Sequence, residues 1–343
     1  MRKLLNTLYV NTQDSYLSKD GENVVVKSGD TEIFRIPIHN LEDIICFGYM
    51  GASPLIMQLC VENNVGLSYV SPQGKFLARV SGKTRGNVLL RRTQYRIADD
   101  ESASLQIARG FILGKIVNCR TVLGRGIRDH GAMISCNEIR KVDSYLIENL
   151  MKIEDCSALD SLRGIEGNCA KAYFSVFDEL ILKQKKDFFM LDRNRRPPLD
   201  NMNALLSFLY TLLAHDIQSA LETVGLDPYV GFFHTDRPGR PSLALDMMEE
   251  LRPFLADRHA LTMVNLQQIK KDDFFVKENG GVIMTDRGRK EVLKSWQKRK
   301  QEEIKHPYLN ETIPIGLVPY TQAMLMSRYL RGDIDGYPPF FMN

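Results

Sequence analysis

No stretch of this 343-residue sequence approaches the ~20 consecutive apolar residues that a bilayer-spanning helix needs, so nothing in it is expected to cross a membrane. The opening, MRKLLNTLYV, is basic and then apolar. Asn6 and Thr7 interrupt it and no small-residue cleavage site follows, so it reads as a first β-strand. No C-x-x-C pair occurs either: Cys46, Cys60, Cys119, Cys136, Cys156 and Cys169 lie at least thirteen positions apart, which removes zinc-knuckle and dithiol redox motifs. Cysteines scattered in this way fit a reducing, cytoplasmic setting. Net charge is only +3, so any electrostatic case must rest on where the charges sit. There is no G-x-S-x-G elbow, no P-loop, no G-x-G-x-x-G fingerprint and no internal repeat.

The remaining composition, 44% apolar and 25% charged, is that of a folded globular protein, and the length suggests about two domains. Residues 1–81 read as short β-branched runs, Leu4 to Val10, Asn23 to Lys27, Thr31 to Ile38, Ile44 to Phe47, Gly66 to Val70 and Lys75 to Val80, separated by turn residues. One helix interrupts them, over Ser53 to Asn63. A basic linker is expected over 82–100. From 101 to 343 helical periodicity takes over, in Ser102 to Arg120, Glu138 to Met151, Ser157 to Phe177, Asn201 to Thr223, Ser242 to Phe254 and Thr285 to Ile304. Strands first and helices afterwards define an α+β chain, a small β-rich domain followed by a larger all-helical one, and argue against alternating βαβ units.

Glu166 breaks the apolar stripe Leu159, Leu162, Cys169, Tyr173, Phe177. A carboxylate on such a face is costly unless it is paired, hydrogen-bonded or metal-bound, and Gly164 and Gly167 leave room for a partner to approach. A surface ion pair with Arg163 or Lys171 is the plainer alternative. His234 opens a Pro/Gly-rich loop after an apolar run, and Asp246 and Glu249, spaced i, i+3, share a helix face where they repel unless a cation lies between them. Hard oxygen donors with one imidazole suit magnesium or manganese better than zinc. Each feature also has an ordinary structural explanation: a satisfied histidine, a solvated acidic face.

Charge placement adds a second hint. From Asn63 to Ala98 there are seven basic residues, Lys75, Arg79, Lys83, Arg85, Arg91, Arg92 and Arg96, and no acidic one. A second group, Lys183, Lys185, Lys186, Arg193, Arg195 and Arg196, precedes Pro197-Pro198. A third, Arg287 to Lys300, is offset by Glu291, Glu302 and Glu303 and reads as the exposed face of a helix. Acidic ligands amid phosphate-binding surface point to metal-assisted phosphodiester chemistry.

The residues that carry these features resemble a known family, the CRISPR-associated adaptation integrases that insert new spacers. The resemblance runs over essentially the whole chain and rests on LRGIEG at Leu162 to Gly167, RNRRPPLDNMNALLSFLY at Arg193 to Tyr210, GFFH at Gly231 to His234 and SLALDMMEELRP at Ser242 to Pro253. The opening LLNTLYV looks like the type I-C branch. The resemblance implies metal ligands at Glu166, His234 and Glu249, with Asp246 joining or orienting them, Glu250 being the adjacent competitor for the Glu249 role. It implies a DNA contact at Arg252, and Arg163, Arg193, Arg195, Arg196, Arg237, Arg240, Lys83 and Arg85 are the further candidates for DNA binding. It also implies a Mg2+ or Mn2+ cofactor, a homodimer, and a small second adaptation protein bridging two dimers. The implied reaction is attack of a 3′ hydroxyl on a phosphodiester, with hydrolysis of branched DNA at the same site. A repair nuclease without integration and a non-catalytic DNA scaffold are the competing readings.

Overall fold

The computed structural model describes residues 6–12, 14–48, 50–63, 65–71, 76–80, 82 and 88–342. Lys75, Lys83 and Arg85, three of the expected basic residues, lie outside them. The chain divides into two compact units.

The first unit comprises residues 1–86, 293–303 and 314–317. Its strands are β1 (Asn6–Val10), β2 (Ser15–Asp20), β3 (Asn23–Ser28), β4 (Thr31–Pro37), β5 (Leu41–Phe47), β6 (Gly51–Ala52), β7 (Gly66–Val70) and β8 (Phe76–Val80), with helix α1 (Pro54–Glu62) between β6 and β7. They form two four-stranded sheets, β4-β3-β2-β6 and β1-β5-β7-β8. Leu17, Val24 and Val26 from one sheet and Val10, Ile44, Cys46 and Leu67 from the other meet in one core, closed by Ile56, Leu59 and Cys60 of α1. The helix starts where the sequence dictates: the Ser53 side chain accepts a hydrogen bond from the Ile56 backbone N–H, and Pro54 fills the first helical position, where its missing N–H costs nothing. β2 and β6 were not anticipated. β2 carries Ser18, Lys19 and Asp20 toward solvent, and β6 is two residues long, so neither offers an apolar run to read.

The second unit comprises 87–292, 304–313 and 318–343. It contains α2 (Val88–Asp99), α3 (Glu101–His130), α4 (Cys136–Glu154), α5 (Leu159–Ser175), α6 (Asn201–Thr223), α7 (Ser242–Leu251), α8 (Arg258–Asn265) and α10 (Val318–Leu330), while α9 (Asp286–Gln301) begins here and ends in the first unit. Much of the segment expected as a basic linker, 82–100, is thus helix α2, whose Gln94 side chain is buried and donates to the carbonyls of Asp227 and Val230. The region is helical apart from two small hairpins, β9 (Phe274–Val276) with β10 (Val282–Met284) and β11 (Glu303–Lys305) with β12 (Thr312–Pro314). Asp100 caps α3 through Ala103, and Asp200 caps α6 through Asn203. By length and composition α6 passes for a membrane span, but 72% of that window is buried, as in the core helix of a globular unit.

After α7 the chain continues through a π-helical turn, Arg252–Asp257, into α8. Pro253 explains it: lacking an N–H, it withholds the bond that the Glu249 carbonyl would accept in an α-helix, and the Arg258 N–H instead reaches back five residues to Pro253.

Candidate active site

Glu166 lies on α5, Glu249 on α7, and both carboxylates converge on one ammonium, that of Lys115 on α3. Lys115 Nζ pairs with Glu166 Oε1 and lies 2.7 Å from Glu249 Oε2. Neither surface partner expected for Glu166 takes this role. Arg163 is engaged by Asp160 at 2.5 Å and donates through Nε and Nη2 to the Phe233 carbonyl, at 3.2 and 2.8 Å. The Glu166 side chain is 21% exposed, so it stands at the edge of the buried face rather than within it. A Cβ added at Gly164 or Gly167 would meet nothing within 4 Å, but both glycines are exposed and, at two positions before and one after Glu166, they do not share its helix face.

His234 is held by Asp246. The Asp246 carboxylate, fully buried, accepts from three successive backbone N–H groups, Phe232 at 2.7 Å, Phe233 at 3.0 Å and His234 at 2.9 Å, and lies 2.6 Å from His234 Nδ1. All of its oxygen capacity is therefore directed at the 231–234 loop. Asp246 orients the imidazole and is not turned toward Glu166. With Nδ1 committed, Nε2 faces Glu249 Oε1 at 3.8 Å, too long for a hydrogen bond. Gly231 is required by this cradle, because a Cβ there would sit 2.7 Å from Asp246 Oδ2 and 2.9 Å from the Ser242 carbonyl carbon.

Glu249 is the most strongly held carboxylate. Arg252 Nη1 lies 2.9 Å from Oε1 and 3.0 Å from Oε2. Burial alone would raise its pKa, but Arg252, Lys115 and His234 outweigh burial and hold it at about 2. Lys115 shows the converse: burial works against its charge, Glu249 and then Glu166 outweigh burial, and the ammonium is held above its ordinary range. The adjacent Glu250 faces away from this cluster. It accepts from Gln322 Nε2, Tyr337 Oη and the Phe340 backbone N–H, anchoring the C-terminal segment, and burial pushes its carboxyl up to about 7. Of the two neighbours, then, Glu249 faces Lys115 and Arg252, and Glu250 faces the C-terminal segment.

A cavity of about 360 Å³ opens beside these groups. Lys115, Glu166, Tyr173, Tyr210, Arg252 and Asp257 line it, together with the basic Arg193, Arg195 and Lys171. The motif from Arg193 to Tyr210 folds so as to deliver these groups. Asn203 accepts from Arg193 Nη1 at 2.7 Å and from the Asn194 N–H at 3.2 Å, and Ser207 lies 3.2 Å from Arg193 Nη2. Arg193 and Arg252 both stack on the Tyr210 ring, at 5.2 and 5.1 Å, while Tyr210 Oη donates to Asp257 at 2.6 Å. Burial lifts the Asp257 carboxyl to about 6, against that hydrogen bond.

The expected DNA-contact arginines fall into two groups. Arg163, Arg193 and Arg252 are committed to internal partners, the last two at the cavity wall. Arg195, Arg196 and Arg237 are exposed, and Arg240 joins them: its guanidinium is held below its ordinary range by burial, then by Arg237, with Arg195 and Arg196 adding to the effect. These four therefore form a basic cluster. Elsewhere Arg79 is spent on buried Asp43 at 3.9 Å; in the α9 group Arg287 pairs with Asp273, Arg289 with Asp286 and Arg299 with Glu302, and Lys300 is buried, so the expected exposed face is only partly one.

Lys115, Tyr210 and Asp257 were missed from the sequence. Lys115 did carry a signal, since it interrupts the α3 stripe Ala108, Phe111, Ile112, Cys119 as Glu166 interrupts its own. A tyrosine on an apolar helix reads as core, and Asp257 gave none.

The donor set fits a hard divalent ion. Two carboxylates share one cationic partner, and the imidazole presents the nitrogen opposite the one fixed by a carboxylate, the arrangement typical of metal-ligating histidine. Among the described residues no three His, Cys, Asp or Glu side chains converge as a ready cage, because Lys115 stands at the point between the carboxylates.

Comparison with known proteins gives the family. The family described as CRISPR associated protein Cas1 matches residues 8–298. A CRISPR-associated endonuclease Cas1 of Chlorobaculum tepidum is 48% identical over 340 residues, 99% of each chain. Among solved structures, a casposase bound to integration product superimposes with a TM-score of 0.83 at 21% identity, over 97% of this chain and 93% of that one. A Cas1 protein from Thermotoga maritima gives 0.82 at 22% identity, over 98% and 100%. The order of β-rich and helical regions is thus the fold of that family, and, with half the residues of a full-length relative retained, the chain belongs to the Cas1 family of CRISPR-associated endonucleases.

Proposed function

We propose that the chain is a divalent-metal-dependent DNA integrase and endonuclease, which joins the 3′ hydroxyl of a short DNA fragment to a phosphodiester at a CRISPR repeat and cleaves branched DNA at the same site. The observation that carries this reading is the convergence of Glu166 and Glu249 on one cation with His234 fixed beside them by Asp246. Glu166, His234 and Glu249 are the residues that would hold Mg2+ or Mn2+. When bound, such an ion would neutralise charge developing on the phosphoryl oxygens and lower the pKa of an attacking hydroxyl or water.

The protein's own groups do the rest. Asp246 fixes the imidazole tautomer with the proton on Nδ1 and keeps Nε2 available as a donor of its lone pair. Arg252 and Lys115 keep Glu249 ionised at neutral pH. The cavity beside Glu166, with Arg193, Arg195 and Lys171 in its lining, suits a phosphate. Arg195, Arg196, Arg237 and Arg240 would take backbone phosphates, giving affinity without sequence readout.

The family supports a homodimer working with a small second adaptation protein. The reading is tested by incubating labelled short duplex with a supercoiled repeat plasmid in Mn2+ or EDTA, comparing wild type with His234→Ala and Glu166→Gln, with folding checked by circular dichroism. Joined label that requires both metal and the intact residues is expected. Cutting of branched DNA without joining, even with the small partner added, would replace integration by repair cleavage; no activity in a folded wild type would leave a DNA-binding scaffold.

A further inference from the structure

A lysine in the middle of a buried helix face needs a reason, because an ammonium withdrawn from water is costly unless it is paired. The Lys115 side chain is 8% exposed. It reaches its position on a rigid element held on either side of it. One residue before, Gly114 lets α7 approach so closely that a Cβ there would stand 2.9 Å from the Glu250 Cβ. One turn after, Asn118 Nδ2 donates to the Glu250 carbonyl at 2.7 Å and to the Phe340 carbonyl at 2.8 Å. Lys115 is therefore delivered to a fixed point, and there it touches carboxylates from two other helices that are 83 positions apart in sequence.

Two carboxylates brought to one point repel each other unless a cation lies between them. Lysine supplies a compact point charge with three donors, which suits this task better than the planar fork of arginine. Leaving His234 aside, Glu166, Asp246 and Glu249 counted against Lys115 and Arg252 give the cluster a formal charge of −1. Without Lys115 it would be −2.

We propose that Lys115 is a positioning residue that holds Glu166 and Glu249 at a common point and competes with a divalent ion for them. This rests on the metal reading of Glu166, His234 and Glu249 given above. Lys115 takes the place between the carboxylates that an ion binding both would need, so ion binding must move the ammonium or share the carboxylates with it. The protein thereby keeps its two ligands assembled without metal, at the cost of weaker metal affinity.

Calorimetric titration of Mn2+ into the EDTA-stripped, full-length protein tests this, with thermal melting alongside. Lys115→Met keeps the length of the side chain and removes its charge; Lys115→Gln serves if the Met variant does not fold; Lys115→Arg restores charge. The uncharged variant should melt below wild type in EDTA, bind Mn2+ at least roughly tenfold more tightly, and gain more melting temperature from Mn2+ than wild type does. Lys115→Arg should return affinity toward the wild-type value. A folded, uncharged variant with unchanged or weaker Mn2+ affinity overturns the proposal, since a purely structural lysine would lower the melting temperature and leave affinity alone. A failure of the metal reading itself looks different: neither wild type nor the variant would then show Mn2+ binding that His234→Ala abolishes, and the proposal would fall with it.

Discussion

At the scale of single residues, the buried Asp246 carboxylate ties the 231–234 loop to α7. Asp246 satisfies three backbone N–H groups and the His234 ring nitrogen inside the protein. Asp246→Ala would leave those donors buried without partners, at about 1–3 kcal/mol each where water cannot reach them. A loss of at least ~3 kcal/mol in urea unfolding is expected, with Asp246→Asn recovering part of it because an amide oxygen still accepts. Asp257 gives a pH signature of the opposite sign to a salt-bridged acid. Its carboxyl titrates near 3.9 in an unfolded chain and at about 6 here, so the folded state holds the proton more tightly between those values. Its contribution to stability is greatest below about pH 4 and is lost as pH rises through 6. Asp257→Asn should therefore match wild type near pH 4 and exceed it by up to ~3 kcal/mol at pH 7, measured as the difference in unfolding free energy at the two pH values. In the sequence Glu166 stood out as a carboxylate set into an apolar stripe, His234 as an imidazole opening a Pro/Gly-rich loop, and Asp246 with Glu249 as an acidic pair spaced i, i+3. Lys115 carried the same signal as Glu166, masked by the habit of reading lysine as surface, and the Tyr210–Asp257 pair was illegible because its partners lie 47 positions apart.

At the scale of elements, the site depends on two breaks in regular structure, the 231–234 loop and the π-helical turn at Arg252–Asp257. Gly231→Ala drives a methyl group into Asp246 and the start of α7, so a destabilisation of about 1–3 kcal/mol is expected, with loss of nuclease activity, read by thermal melting and cleavage of branched DNA. The long helices α3 to α7 were largely legible, since their apolar periodicity and their caps, Asp200 before α6 for example, are local features. α3 runs ten residues beyond the expected end at Arg120, because Gly124, Arg125 and Gly126 interrupt the pattern without ending the helix. α2 was taken as linker because its apolar residues are few and its buried polar anchor, Gln94, pairs with a loop more than 130 positions away. α8 was hidden by the π turn: inserting an extra residue into a helical turn shifts the phase of every apolar position after it. The segment Tyr337–Met342 had no readable destination; Glu250, Asn118 and the small residues Gly110 and Gly114 supply it.

At the scale of the whole molecule, a chain with a net charge of only +3 lines its cavity with Lys115, Lys171, Arg193, Arg195 and Arg252, and sets Arg195 near Arg196, Arg237 and Arg240. If Arg195, Arg196, Arg237 and Arg240 take phosphates, each replacement by alanine should weaken binding of unrelated duplexes by similar factors. Each should also reduce the slope of log affinity against log salt by about 1, measured by fluorescence anisotropy across a salt series. Contacts that read bases would instead weaken some sequences and spare others. The central claim is that one site makes a 3′ hydroxyl the nucleophile, and the most direct measurement compares labelled fragments that differ only in that group, one ending in a 3′ hydroxyl and one in a 3′ deoxy sugar, each incubated with the protein, Mn2+ and a repeat plasmid. Covalent label on the plasmid from the hydroxyl-ended fragment alone, abolished by EDTA, is the predicted result; joining from the deoxy end, or cleavage of branched DNA with no joining from either, would contradict it.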